Sequence, residues 1–187
     1  MNLSEIEKII NSLIDTFVKC GAVSLELRNK GLEKSIKDDN TPVTNGDIQV
    51  NNLLVEKIAH LTPNIKIVSE ETSTNKENDD LKDFWLIDPI DGTYDYINGR
   101  DEFTINAALI IDKKPVAGLI NAPGKKRLFY SWGKSNAYEI NSGSIKNLKC
   151  NKKSKNNEIN AVSYSDNLKP EIAEIHKKYN ITNYTKM

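Results

Sequence analysis

The 187-residue chain is poor in cysteine, histidine and tryptophan, with two of each, and it carries no net charge, since 26 Lys and Arg face 26 Asp and Glu. Cys20 and Cys150 are too few for a disulfide framework and too far apart in sequence for a clustered zinc site, which points to a reducing compartment. Balanced charge leaves no net field to draw the chain to nucleic acid or an anionic membrane, so any charged ligand must be met locally. No apolar run approaches the roughly 18 residues of a membrane span, and the acidic start, Met1–Glu7, lacks a secretory n-region. A soluble, cytoplasmic protein is expected, long enough to bury a core and to work as an enzyme.

Leu3, Ile6, Ile9, Ile10, Leu13, Phe17 and Val18 recur at helical spacing, and Ser4 with Glu7 has the form of a capping box, so a long helix is predicted to about Asn29. Cys20 falls on its apolar pattern as a core residue. The stretch GLEKSIKDDNTPVTNGD (31–47) reads as a loop, and Thr44 followed by Asp47 opens a second helix ending near Thr62 and Pro63. Short strand-like runs follow: IKIVS, FWLID, FTINAALII, PVAGLINA, RLFYS and NAYEI, read as a largely antiparallel sheet with Trp85 and Trp132 in the core. Residues 1–150 thus form one αβ unit. NKKSKNNE (151–158) reads as a linker, INAVSYS as a strand and PEIAEIHKKY as a helix opening a second unit over 151–187.

Three acidic groups fall at the ends of these elements: Asp47 at a helix start, Glu70 and Glu71 after IKIVS, and Asp88 with Asp91 after FWLI. Carboxylates converging from element ends repel one another unless they share a cation, and hard oxygen ligands without histidine or cysteine suit magnesium rather than zinc. Gly92 lets backbone approach a ligand closely, and a helical turn from Thr93 would offer amides to a phosphate. Thr93 and Asp47 supply a hydroxyl and an acceptor able to orient an attacking water. Each group also has a plainer role: Asp47 as a helix cap, the glutamates as a solvated turn, Asp88 and Asp91 as turn formers around Pro89. His60 and His176 stand alone and read as surface residues, Lys125, Lys126 and Arg127 as a solvated basic turn, and Arg100 as a loop cation near the acidic motif.

VTNGD (43–47), SEE (69–71) and DPIDGT (88–93), in that order, resemble the signature of the magnesium-dependent, lithium-sensitive phosphatases related to inositol monophosphatase. The resemblance implies an α+β, layered αβαβα sugar-phosphatase fold, with the first αβ unit complete and the second truncated. It implies Mg2+ held by Glu70, Asp88, Asp91 and the Ile90 carbonyl, a water oriented by Thr93 and Asp47 with help from Glu70, and phosphate held by the Gly92 and Thr93 amides. Glu70 and Asp91 thereby also belong to the substrate-binding set. The flanks, KDDNTPVTNGD, DEFTINAALI, PVAGLINAP and NAYE, look like the 3'(2'),5'-bisphosphate nucleotidases of the CysQ type. The implied substrate is a small phosphate ester, adenosine 3',5'-bisphosphate, cleaved to AMP and phosphate; inositol monophosphatase activity is the near alternative, and the resemblance leaves a homodimer open.

Two departures stand out inside the matched region: Tyr94, Asp95 and Tyr96 occupy a Lys-Glu-Phe-like position, and Gly46 replaces a usual alanine. A third concerns 151–187, where the family's Trp-Asp motif has no counterpart, Asp166 in SYSDNLKP being most simply a turn residue. A catalytically impaired remnant serving as a binding or oligomerising module is therefore the rival expectation from a different class.

Overall fold

The computed structural model describes residues 1–37, 40–72, 81–149, 159–163 and 167–186. The chain divides into two compact units, Met1–Leu148 and Lys149–Met187. Among the described residues no helix is long and apolar enough to cross a membrane.

Helix α1, Leu3–Lys30, buries Ile6, Ile10, Leu13, Phe17 and Cys20, a stripe with steps of four and three residues that stays on one side of a 3.6-residue helix. Its cap lies two residues earlier than the sequence suggested. Asn2 accepts from the Glu5 amide (2.9 Å) while Glu5 Oε2 takes the Asn2 amide (2.7 Å), so Asn2 and Glu5, not Ser4 and Glu7, form the capping box. The segment expected to be a loop contains a short antiparallel hairpin, β1 (Lys34–Ile36) with β2 (Pro42–Thr44). Helix α2, Asn45–Leu61, follows at once, capped by Thr44.

The remaining elements of this unit are β3 (Lys66–Ser69), β4 (Phe84–Asp91), α3 (Thr93–Ile97), β5 (Thr104–Ile111), β6 (Lys114–Ala122), β7 (Arg127–Trp132), β8 (Asn136–Asn141) and β9 (Ser144–Asn147). They make one sheet in chain order, β3 to β9, with β3 and β4 parallel and every later pair antiparallel. Strand β9 was not expected: Ser-Ile-Lys-Asn is too polar to signal a strand, and all four residues are exposed at the sheet edge.

Alternation decides which side of the sheet is covered. Trp85, Ile87, Ile105, Ala107, Leu109, Ala117, Leu119, Leu128, Tyr130 and Trp132 share one core with the apolar stripes of α1 and α2. Trp85 is fully buried and still satisfies its indole, donating Nε1 to Thr62 Oγ1 at 3.0 Å. The neighbours in alternation, Leu86 and Ile120 among them, are about half exposed on the opposite face. That face carries a cavity of about 500 Å³ lined by Leu86, Asp88, Asn106, Ile120, Phe129 and Tyr138 among others.

In the second unit β10 (Asn160–Ser163) and β11 (Asn183–Lys186) pair in parallel, with α4 (Pro170–Lys178) between them in sequence. The strand β11 was not anticipated. Cys150, the linker 151–158 and Asp166 lie outside the described residues.

Candidate active site

Thr44 ends β2 and caps α2. Its hydroxyl accepts from the Gly46 amide (3.1 Å) and donates to Asp47 Oδ2 (2.6 Å), which also takes the Thr44 amide (2.8 Å). The capping reading of Asp47 holds, and it uses only one of the two carboxylate oxygens. Oδ2 closes the cap, while Oδ1 lies 3.4 Å from the Thr93 hydroxyl. That hydroxyl has one proton and two acceptors in reach, and the Ile90 carbonyl, at 3.0 Å, is the nearer. Asp47 is buried, and burial pushes its carboxyl above the ordinary value against the pull of the Thr44 hydrogen bonds.

Strand parity makes the Asp88 and Asp91 pair informative. Residues three apart on a regular strand face opposite ways. Here Asp88 is opposite Asn106 and Asp91 is opposite Thr104, so three steps on β4 match two on β5, and the spare residue is taken up as a bulge at Pro89–Ile90. Proline has no amide to lend to the ladder, which suits it to that place. The bulge returns Asp91 to the side of Asp88, as the Asn106 Nδ2 bond to Asp91 Oδ2 (3.2 Å) bears out. Gly92 then turns the chain with φ at 91°, where a Cβ would stand 2.9 Å from the Glu102 carbonyl.

Glu70 and Glu71 follow β3, and the Glu70 amide donates to the Ile87 carbonyl (3.1 Å), which fixes them beside β4. Lys37 was missed by the sequence reasoning. Its ammonium reaches Glu70 Oε1 (3.0 Å) and Glu71 Oε1 (2.7 Å). Burial works against that charge, but Glu71 and Glu70 outweigh it and raise the Lys37 pKa. Glu71 is the more buried glutamate, and burial raises its carboxyl in spite of Lys37. Nothing in GLEKSIKDD distinguishes Lys37 from a solvated lysine. Asn106 was also overlooked, although an amide on the open side of an otherwise apolar strand is a visible signal.

Asp88 holds the centre. Burial first, then the charges of Glu70, Asp91 and Asp47, push its carboxyl up to about 7. Its Oδ1 is buried without a hydrogen-bond partner, as is Oδ1 of the facing Asn106. Among the described residues no three Asp, Glu, His or Cys side chains stand close enough to hold an ion as they are. The donor set still suits a hard divalent cation: it is all oxygen, self-repelling, and has a buried acceptor waiting for a partner. A cation there would draw Glu70 from Lys37.

The other polar residues are held elsewhere. Arg100 pairs with Asp95 (2.9 Å), and Lys125 with Glu102 (2.8 Å). His60 is exposed at the end of α2, and His176 of the second unit stands edge-on to Tyr184.

The chain is 35% identical over 127 residues to a 3'(2'),5'-bisphosphate nucleotidase CysQ of Haemophilus influenzae, covering 67% of this chain and 47% of the relative. It is 40% identical over 110 residues to the CysQ of Aggregatibacter actinomycetemcomitans, covering 58% and 41%. The chain thus spans about half the length of the curated relatives it matches. Among solved structures, CysQ from Bacteroides thetaiotaomicron matches with a TM-score of 0.68 at 24% identity, over 95% of this chain and 70% of that one. A Thermotoga maritima IMPase matches with a TM-score of 0.67 at 21% identity, over 92% and 65%. These likenesses establish the α+β fold with its mixed sheet. The inositol monophosphatase family model matches residues 4–186, and with the three acidic motifs in its order the chain belongs to that family.

Proposed function

We propose that the chain carries the catalytic centre of a magnesium-dependent phosphoric monoester hydrolase acting on adenosine 3',5'-bisphosphate, with AMP and phosphate as products. The observation that supports it most is the buried, unpartnered Oδ1 of Asp88 among three further carboxylates, a grouping that is costly to a protein unless a cation relieves it. The relatives named 3'(2'),5'-bisphosphate nucleotidase favour this substrate class over an inositol phosphate.

In this reading Glu70, Asp88, Asp91 and the Ile90 carbonyl hold Mg2+, and the Gly92 and Thr93 amides receive the phosphate. The bound ion supplies positive charge that activates the attacking water and offsets charge on the leaving oxygen. The protein's own part is orientation. Thr93 turns its hydroxyl hydrogen from the nearer Ile90 carbonyl, which this reading assigns to the metal, to Asp47 Oδ1 and keeps a lone pair for the attacking water, while Glu70, released from Lys37, accepts a proton from that water. Water adds to phosphorus as the P–O ester bond breaks in line; the attacking water's proton passes to a carboxylate and then to solvent, and the leaving 3' oxygen takes up a proton from solvent to become the hydroxyl of AMP. At 3.4 Å the Asp47 to Thr93 contact is longer than a good O–H···O bond, so the pair must close by a few tenths of an ångström to act and any further separation breaks it.

Phosphate release from adenosine 3',5'-bisphosphate and from inositol 1-phosphate, with Mg2+ and with EDTA, tests the proposal. Faster turnover of the inositol ester overturns the substrate assignment, and release that survives both EDTA and Asp88→Asn overturns the site. A chain that binds Mg2+ and releases nothing from either ester fits the remnant reading.

A further inference from the structure

Apart from the main core, Ile90, Tyr96 and Phe103 form a small cluster backed by Leu25 and Leu32. Tyr96 is its largest fully buried member, with its ring centroid 4.8 Å from that of Phe103. The Tyr96 hydroxyl donates to the Ser24 carbonyl of α1 at 2.6 Å. Burial, and after it the charge of Asp47, push the phenol up to about 12, so the hydroxyl remains a donor. Arg28, one turn further along α1, donates to the Arg100 carbonyl (2.5 Å) and to Asp101 (3.0 Å), with its guanidinium 5.5 Å from the Phe103 ring centroid. The C-terminal end of α3 and the loop that follows it are thereby tied to α1.

The same ring meets the start of α2. A Cβ at Gly46 would stand 2.5 Å from the Tyr96 hydroxyl oxygen, 2.8 Å from Cε1 and 2.9 Å from Cζ. No side chain fits there while the ring is tied to Ser24. Gly46 has an ordinary helical backbone, and glycine in a helix is a cost unless space demands it. Glycine at 46 and the phenol at 96 are therefore two halves of one contact, and Asp47 is the next residue along.

We propose that Tyr96 is a positioning residue that sets the Asp47 to Thr93 separation, by tying α3 to Ser24 and by bearing directly on Gly46. It touches neither substrate nor metal in the proposed reaction. The proposal rests on reading Asp47 and Thr93 as the water-orienting pair, but the contact itself is independent of that reading.

The test is a compensation experiment with Gly46→Ala, Tyr96→Phe and the double variant. Gly46→Ala forces the tethered ring away, and a misplacement of several tenths of an ångström is expected to lower kcat by about tenfold or more with KM little changed. Tyr96→Phe frees the ring from Ser24, so in the double variant it slides to admit the methyl group, and kcat returns to the level of Tyr96→Phe alone. The NMR resonance of the Thr93 methyl gives a readout without turnover: displaced in Gly46→Ala, and returned in the double variant to its position in Tyr96→Phe. An unmoved resonance in Gly46→Ala, or a double variant as impaired as Gly46→Ala, overturns the proposal. An insoluble Gly46→Ala protein made soluble by Tyr96→Phe is the same compensation seen in folding, and insolubility of both overturns it. If the parent chain releases no phosphate while the resonance follows this pattern, the catalytic reading falls and the positioning contact stands.

Discussion

Asp88→Asn separates the site's cost from its use. The Asp88 carboxyl is raised from 3.8 to about 7 by burial and by Glu70, Asp91 and Asp47, so folding favours its neutral form. Its stabilising contribution is present in full below pH 3.8 and is lost as pH rises through 7. Without allowance for solvent, three pKa units correspond to about 4 kcal/mol. The side chain is only half-buried, and screening reduces this to about 1–2 kcal/mol. Asparagine keeps the shape and removes the charge. In EDTA at pH 8 the variant should melt about 3–6 °C above the parent, a lead that shrinks as pH falls below 7 until the two nearly coincide below pH 3.8. Mg2+ at ten times its dissociation constant should stabilise the parent by about 1.4 kcal/mol and the variant hardly at all, bringing the curves together or crossing them. Trp85 and Trp132 are both buried in the first unit, so their fluorescence follows that unit alone. A variant that melts below the parent at pH 8 in EDTA, or that gains as much from Mg2+, refutes the picture of a strained, cation-seeking carboxylate.

Gly92→Ala places a Cβ 2.9 Å from the Glu102 carbonyl at a positive φ and should cost about 1–3 kcal/mol in urea unfolding. Lys37→Gln removes the cation that holds Glu70 and Glu71, leaving Glu71 nearly buried without a counter-ion. Apo stability should fall by about 1–3 kcal/mol while Mg2+ binds more tightly, because the ammonium no longer competes for Glu70; urea unfolding reads the first outcome and calorimetric titration the second. The cavity on the open face of the sheet should bind anilinonaphthalene sulfonate, and Leu86→Glu, at a half-exposed position on its wall, should abolish that fluorescence without unfolding the protein.

The two long helices and six of the sheet strands were legible because their apolar residues keep helical or alternating spacing. Elements without that pattern were not: β1 and β9 bury nothing, and their residues are held by pairing alone. The acidic groups were legible as residue types at element ends. Their mutual placement was not, because Asp47 meets Thr93 across 46 residues and Lys37 meets Glu70 across 33, distances over which local pattern carries no information. Gly46 and Tyr96 were visible only as departures from a familiar motif, and the structure joins them into one contact.

The deepest gap concerned Asp88 and Asp91, whose spacing of three contradicts a shared face on a plain strand and is reconciled only by the bulge. Deleting Pro89 tests what the bulge adds. With that residue gone the two aspartates are two apart, Ile90 stays on the covered side by parity, and the register to Asn106 and Thr104 becomes regular. The carboxylates are then kept, but the Ile90 carbonyl no longer belongs to a bulged, locally disrupted stretch of the ladder. The deletion should lose about 1–3 kcal/mol with the buried Pro89 packing and still fold. If the bulge served only to place the acids, Mg2+ would stabilise the deletion variant as much as the parent. Loss of that stabilisation, with both aspartates present, is the expected result, and it would assign to the Ile90 carbonyl a share of the binding that no side-chain substitution can reach.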